Sequence, residues 1–102
     1  MTIEVVQMYF NAQKIVLSDH IRSRMQGKNI SMFDIINGIS TGEIIEDYPK
    51  AYPYPACLIL GYTNNKPIHI CIGIGSKSGI FITAYWPSLD KWECDYKTRK
   101  KK

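Results

Sequence analysis

Apolar residues recur at helical spacing in three segments of the first 42 residues. The spacing predicts helices over residues 2–13, 18–26 and 31–42. In the third segment Ser31 and Asp34 have the spacing of a capping box, in which each side chain bonds the backbone amide of the other. The apolar stripe of this helix follows the i, i+3, i+4, i+7 rule most closely, at Met32, Ile35, Ile36 and Ile39.

Beyond Gly42 the period changes to that of β-strands. Three prolines among residues 48–55 predict an extended loop between the first two strands, because proline cannot donate a ladder hydrogen bond. The last three strands are apolar on both faces, so we expect them at the buried centre of a sheet. The four predicted strands cover residues 43–48, 56–63, 67–74 and 80–85.

The order of these elements indicates an α+β fold. Two or three N-terminal helices are expected to pack on a curved antiparallel sheet of about four strands, with residues 14–17 as an extended link. Residues 88–99 are expected to add one irregular helical turn. We expect a single domain over residues 1–96, followed by a basic C-terminal tail, residues 97–102.

The net charge of +4 is located almost entirely in that tail. Five of the thirteen Lys and Arg residues lie in residues 97–102, so the remainder holds eight bases against nine acids. This body is close to neutral, which weakens the case for a nucleic-acid-binding face based on net charge. The tail is either a solvated end or a functional basic arm.

The sequence contains no recognisable targeting signal, membrane-spanning segment or metal-binding motif. No apolar run approaches the roughly 20 residues of a membrane helix, and no basic region precedes the apolar start, so we expect a cytoplasmic protein without membrane contact. The three cysteines contain no C-x-x-C pair, and the two histidines lie far apart in sequence. We therefore expect neither a metal site nor a cofactor.

Two pairs of residues are candidates for chemistry. His20 and Arg24 lie four residues apart on the predicted second helix, where a neutral imidazole and a phosphate-binding guanidinium would share one face. Packing of both on the surface is the alternative. His69 and Tyr85 lie on the third and fourth predicted strands, as a second proton-transfer group and a phenol that reaches the same face. A hydrogen-bonded core histidine is the alternative there.

The chain resembles a small bacterial and archaeal family of domains of unknown function. The resemblance covers residues 17–99, about four-fifths of the chain. It rests on these segments: Leu17-Ser-Asp-His20-x-x-x-Arg24-Met25, Gly42-Glu-Ile-Ile-Glu-Asp-Tyr48-Pro49, Tyr54-Pro55-x-Cys57-Leu-Ile-Leu-Gly61, Pro67-Ile-His69, Ile82-Thr-Ala-Tyr85-x-Pro87 and Trp92-x-x-Asp95-Tyr96-Lys-Thr-Arg99.

That family is regarded as distantly similar to the RelE, BrnT and MqsR toxins, which implies a RelE-like fold and a toxin-like, metal-independent endoribonuclease. The resemblance implies His20 or His69 as base and acid, Arg24 or Arg99 as the charge clamp on phosphate, and Tyr85 as a positioning phenol. Further RNA contacts are expected at Arg22, Lys97, Arg99 and Lys100.

The expected partners are RNA and, by resemblance, a zinc-finger antitoxin. An open sheet face carrying His69, Cys71 and Tyr85 is expected to be covered by that antitoxin or by a second copy of the chain. A non-catalytic RNA-binding or protein-binding module of the same fold is the alternative function, and whether the protein is an enzyme stays open.

Overall fold

A computed structural model describes residues 2–11, 15–16, 27, 29–75 and 78–101, so the predicted helix over 18–26 lies outside the described residues. The helices are α1 (Ile3–Asn11) and α2 (Met32–Ser40). The strands are β1 (Ile15–Val16), β2 (Glu43–Tyr48), β3 (Ala56–Thr63), β4 (Lys66–Ile74) and β5 (Gly79–Tyr85). Four predicted strands and two predicted helices are thus confirmed to within two residues at each end.

The sheet is open and has the order β1-β5-β4-β3-β2. Strands β2 to β5 form the predicted antiparallel meander, and the α+β class is confirmed. The predicted link over 14–17 instead contains β1, a two-residue strand that pairs with β5 in parallel. Each helix has nine residues, and within the described ranges none is long and apolar enough to cross a membrane.

Helix α2 begins at the capping box that the sequence predicts. The Ser31 hydroxyl accepts from the Asp34 amide at 3.2 Å, and Asp34 Oδ2 accepts from the Ser31 amide at 3.0 Å. The other carboxylate oxygen of Asp34 accepts from the Thr63 hydroxyl at 2.9 Å. The same carboxylate therefore satisfies a free helix amide and ties the start of α2 to the end of β3.

Where α2 crosses β3, the backbone of the helix lies in direct contact with the backbone of the strand. A Cβ added to Gly61 would lie 1.9 Å from the carbonyl oxygen of Gly38, and one added to Gly38 would lie 2.6 Å from the side chain of Ile70. Glycine is required at this crossing because any side chain would push the helix off the sheet. Helix α2 thus lies directly on β3 and β4.

Helix α1 packs beside α2 on the same face of the sheet. The Gln7 amide group donates to the Ile39 carbonyl at 3.0 Å, which also accepts from the Gly42 amide, so α1 adds a second partner at the C-terminal end of α2. Between these helices and the sheet lies the buried apolar core, which consists of Val6, Ile30, Ile35, Ile39, Cys57, Ile59, Ile68, Ile70, Ile72, Phe81 and Ala84.

The opposite face of the sheet is covered by residues 88–101, which we call the strap. The strap begins with a turn in which the Trp92 amide donates to the Ser88 carbonyl at 3.1 Å, where one irregular helical turn was predicted. It then doubles back through a bridge between Trp92 and Arg99. Asp95 holds the bend, because its carboxylate accepts from the amides of Lys97 and Thr98 at 2.8 and 3.0 Å.

We expect Gly61→Ala to reduce the free energy of unfolding by at least about 2 kcal/mol, because the added methyl group would overlap the backbone of α2 rather than a side chain that can move. Urea-induced unfolding monitored by circular dichroism measures this loss.

Gly73→Ala on β4 is the matched control. A Cβ there would meet its nearest neighbour, Ile82, at 3.5 Å, which is an ordinary van der Waals contact. We expect this variant to stay within about 1 kcal/mol of the wild-type protein. Equal losses in the two variants would contradict the backbone contact.

Candidate functional site

The strand registers place polar side chains in two rows across the face that the strap covers. The first row runs Glu43, Leu60, His69 and Tyr85 from β2 to β5. The second row runs Glu46, Leu58, Cys71 and Thr83. Each row thus has an acid at the β2 edge and a hydroxyl-bearing side chain on β5, with buried leucine between them.

His69 is fully buried, and both of its ring nitrogens are hydrogen-bonded. Nε2 lies 2.8 Å from the Tyr96 carbonyl, which can only accept, so Nε2 carries the proton. Nδ1 therefore accepts from the Tyr85 hydroxyl at 3.1 Å. Burial lowers the pKa of His69 below its usual value, so the ring is neutral at physiological pH.

The strap covers His69 with Trp92 and also holds the Arg99 guanidinium in a fixed position. The Trp92 indole contacts the imidazole edge-on, with ring centroids 4.4 Å apart, and the Arg99 guanidinium lies 4.7 Å from the Trp92 ring centroid. Arg99 donates through Nε and Nη2 to the two carboxylate oxygens of Glu46, at 2.7 and 2.9 Å. Tyr48 donates to the same carboxylate. The hydrogen bond from Arg99 lowers the pKa of Glu46, so this pair stays ionised.

A second ion pair anchors the strap at the same edge of the sheet. Lys97 Nζ lies 2.7 Å from Glu43 of β2. Lys97 and Arg99, which the sequence places in a basic tail, are therefore paired with the two acids at the β2 ends of the rows.

Between the strap and β5 lies a cleft of about 400 Å³, here called the strap cleft. Its volume falls within the range of roughly 300–1,000 Å³ that small-molecule sites occupy. Burial raises the pKa of the Tyr85 phenol, so its hydroxyl stays protonated at neutral pH. Three aromatic side chains, one serine and two cations line the cleft: Tyr85, Trp86, Trp92, Ser88, Lys91 and Arg99.

The structure brings together only some of the predicted site residues. Tyr85 and Arg99 line the strap cleft, and the buried His69 ring is hydrogen-bonded to the Tyr85 hydroxyl. Lys97 lies at the β2 edge, and Lys100 is exposed, with its amide bonded to the Lys91 carbonyl at 2.9 Å. The remaining predicted site residues, His20, Arg22 and Arg24, lie outside the described residues.

Sequence reasoning missed three residues of this site. Lys91 and Ser88 lie in a segment without periodicity, and nothing in the pattern sets them apart from other surface residues. Glu46 is one of three acids in β2, and the sequence does not distinguish it from the other two. Its partner, Arg99, is 53 residues away in the chain, which no local pattern reports.

The expectation of an open face around His69 is wrong. His69 is 0% exposed because Trp92 and the Tyr96 carbonyl of the strap cover it, and Leu58 and Leu60 are covered as well. This chain's own strap occupies the place that the sequence analysis assigns to an antitoxin or a second copy. A partner that binds elsewhere stays a prediction.

On the face that the strap covers, Cys71 is disfavoured as a thiolate nucleophile, and the described residues form no metal site. Burial raises the pKa of Cys71, which disfavours its thiolate. Among the described residues no three His, Cys, Asp or Glu side chains come together to hold a metal ion. The chemistry available in the described site therefore consists of a phenol, a buried neutral imidazole and cationic groups.

Comparison with known proteins identifies the family and nothing beyond it. A family model described as "Domain of unknown function (DUF4258)" matches residues 17–86, which is more than half of the chain. No curated protein and no solved structure matches the chain. The predicted membership of a family of unknown function is confirmed, and the link to the RelE, BrnT and MqsR toxins stays a prediction.

The free energy of unfolding should fall as the pH is lowered from 6.5 towards 5. The folded-state pKa of His69 is below its ordinary value of 6.5, so in this window the unfolded chain binds a proton that the folded chain does not. One such proton changes stability by at most about 1.4 kcal/mol per pH unit. Urea unfolding at a series of pH values measures the slope.

His69→Gln is the comparison variant, because a glutamine amide can donate and accept like the imidazole but does not titrate. Its slope between pH 6.5 and 5 should be flatter than that of the wild-type protein. The charged neighbours Glu46 and Arg99 keep their charge in this window, because hydrogen bonding lowers the carboxyl pKa and arginine does not deprotonate. Identical slopes would show that His69 is not the titrating group.

Proposed function

The chain belongs to the DUF4258 family, and we propose that it binds single-stranded RNA in the strap cleft. The observation that carries the proposal is that two half-buried rings, Tyr85 and Trp86, lie together with two cations, Lys91 and Arg99, in one concave site. Single-stranded nucleic acids are bound by such a mixture, because cations neutralise phosphates and rings stack with bases.

Lys91 is the first phosphate ligand in this proposal. Its ammonium lines the cleft and forms no ion pair with any described residue. A phosphate that enters the cleft therefore meets a cation that no protein acid already neutralises. The exposed Lys100 and Lys101 lie at the end of the strap, directly after Arg99, and their charges raise the local positive potential.

Arg99 is the second ligand, and its position is fixed before RNA arrives. The guanidinium has five N–H donors, and two of them are bonded to Glu46. Further N–H groups remain for a phosphate oxygen, and the contact with the Trp92 ring holds the group in place. Binding RNA then orders little additional side-chain freedom at this residue.

RNA cleavage in the same cleft is the second candidate function, favoured by the Tyr85 hydroxyl beside these cations. In that reaction a base removes the 2′-hydroxyl proton, the 2′-oxygen bonds to phosphorus, and the bond from phosphorus to the 5′-oxygen breaks. Tyr85, which stays protonated at neutral pH, would turn its hydroxyl from His69 Nδ1 to the departing 5′-oxygen and protonate it, and Arg99 would stabilise the phosphoryl charge. The resemblance to the toxin group implies His20 or His69 as base and acid, and because both ring nitrogens of the buried His69 are already bonded, we take His20 as the base.

Lys91→Ala should weaken binding of single-stranded RNA and should flatten the dependence of log K on log salt by about 0.7, the contribution of one phosphate contact. Fluorescence anisotropy of a labelled uridine oligonucleotide over a series of salt concentrations gives both quantities.

Lys50→Ala is the matched control, because it removes the same charge from an exposed position in the loop that joins β2 to β3, outside the strap cleft. We expect its salt slope to equal that of the wild-type protein. Equal effects of the two variants would mean that RNA is attracted by net charge alone and does not occupy the cleft.

Tyr85→Phe separates binding from cleavage. Removing one hydroxyl should leave RNA affinity within about twofold, since the ring remains, while cleavage should fall about 100-fold or more if the phenol is the acid. Gel analysis of labelled RNA after incubation measures the cleavage rate. If neither the wild-type protein nor the variant cleaves RNA but both bind it, the protein is a binding module.

A further inference from the structure

We propose that the cavity beside the start of α2 binds one unstacked base of an RNA strand whose backbone lies in the strap cleft. The inference rests on the proposed function and adds the part of the RNA that this second site takes. The cavity, here called the base cavity, has a volume of about 480 Å³ and lies outside the rows of polar residues described above.

Two aromatic rings form part of the wall of the base cavity. Phe33 lies in the first turn of α2 and is 58% exposed, whereas Ile35 and Ile39 of the same helix are buried in the core. Trp86 comes directly after β5, lines the same cavity and packs partly against the core. Exposed rings at a cavity wall offer a flat apolar surface for a base, and each base contributes its own π-face whatever its sequence.

Trp86 connects the base cavity with the strap cleft, because it lines both. An RNA strand can therefore place a phosphate beside Lys91 and Arg99 and a neighbouring base beside Trp86 without leaving the protein surface. This continuity distinguishes the base cavity from an isolated surface depression.

The polar groups around the base cavity suit the edge of a base rather than an apolar peptide. Asn29 and Asn64 line it, and both have left-handed backbone conformations, with φ of 57° and 51°. Their side-chain amides each combine a donor and an acceptor, as the edges of bases do. The Lys66 ammonium lies 5.9 Å from the Trp86 ring centroid and supplies the cation of this cavity.

The other polar residues of the wall are already committed to the fold. Asp34 is bonded to the Ser31 amide and to the Thr63 hydroxyl, so its carboxylate is held at the start of α2. Because the Asp34 carboxylate is negatively charged, it repels an anionic ligand at that end of the base cavity, whereas an uncharged base can lie there. The occupant that fits both this end and the aromatic wall is a nucleobase.

The test compares Phe33→Ala with Ile36→Ala in binding to two oligonucleotides of equal length. One is a uridine oligonucleotide, and the other has the same sugar–phosphate backbone with abasic residues. Ile36 is a matched control, because it is a large apolar residue on the same helix, is 40% exposed, and does not line the base cavity. Both positions are exposed, so neither variant is expected to unfold the protein.

We expect Phe33→Ala to weaken binding of the uridine oligonucleotide by about 5-fold or more, which is the smaller end of the effect of losing one stacking ring. Its affinity for the abasic strand should not change, and Ile36→Ala should change neither. Phe33→Tyr, which keeps the ring, should restore affinity to within about twofold of the wild-type protein.

The outcomes separate this inference from the proposed function. If the wild-type protein binds the uridine strand and Phe33→Ala binds it equally well, the base cavity is refuted while RNA binding stands. An equal loss of affinity for both strands also refutes it, because the effect then does not depend on a base. If the wild-type protein binds neither strand, both the proposed function and the base cavity are refuted.

Discussion

The close contact of α2 with β3 at Gly38 and Gly61 is the constraint on which the rest of this structure depends. With no Cβ at Gly61, the helix backbone lies directly on the strand, and a side chain there would overlap the Gly38 carbonyl. Hydrogen bonds from Asn37 and to Asp34 then join α2 to Thr63 at the end of the same strand. The glycine pair sets the distance between helix and sheet, and these bonds set the position of the helix along it.

Placing both helices on one face leaves the other face of an apolar sheet to be covered. Strands β3 and β4 carry buried side chains on both faces, so exposing the second face would cost hydrophobic stabilisation of about 25 cal/mol per Å². The strap provides that cover with Trp92, and its charged residues bond to the β2 edge rather than entering the interior.

Local patterns in the sequence were sufficient for the elements but not for the site. Helical spacing and the capping box predicted α2, and alternation with turn residues predicted β2 to β5, because these signals depend on residues within one turn or one hairpin. The pairing of β1 with β5 and of Arg99 with Glu46 joins distant parts of the chain, and no spacing rule reports such pairs. The pairing of His69 with Tyr85 was anticipated only as a shared sheet face. Burial of His69 agrees with the alternative of a hydrogen-bonded core histidine, but the strap that covers it has no periodicity by which the sequence could identify the cover.

The distribution of charge changes once the ion pairs are known. Lys97 and Arg99 account for two of the five cations at the C-terminus, and both are bonded to acids of β2. An exposed pair of this kind contributes little stability, about 0–1 kcal/mol, but it fixes where a guanidinium is held. The unneutralised positive charge of the strap cleft therefore comes from Lys91, which belongs to the nearly neutral body of the sequence. The sequence shows where the cations of this chain lie, whereas the ion pairs of the folded protein determine which of those cations can bind a phosphate.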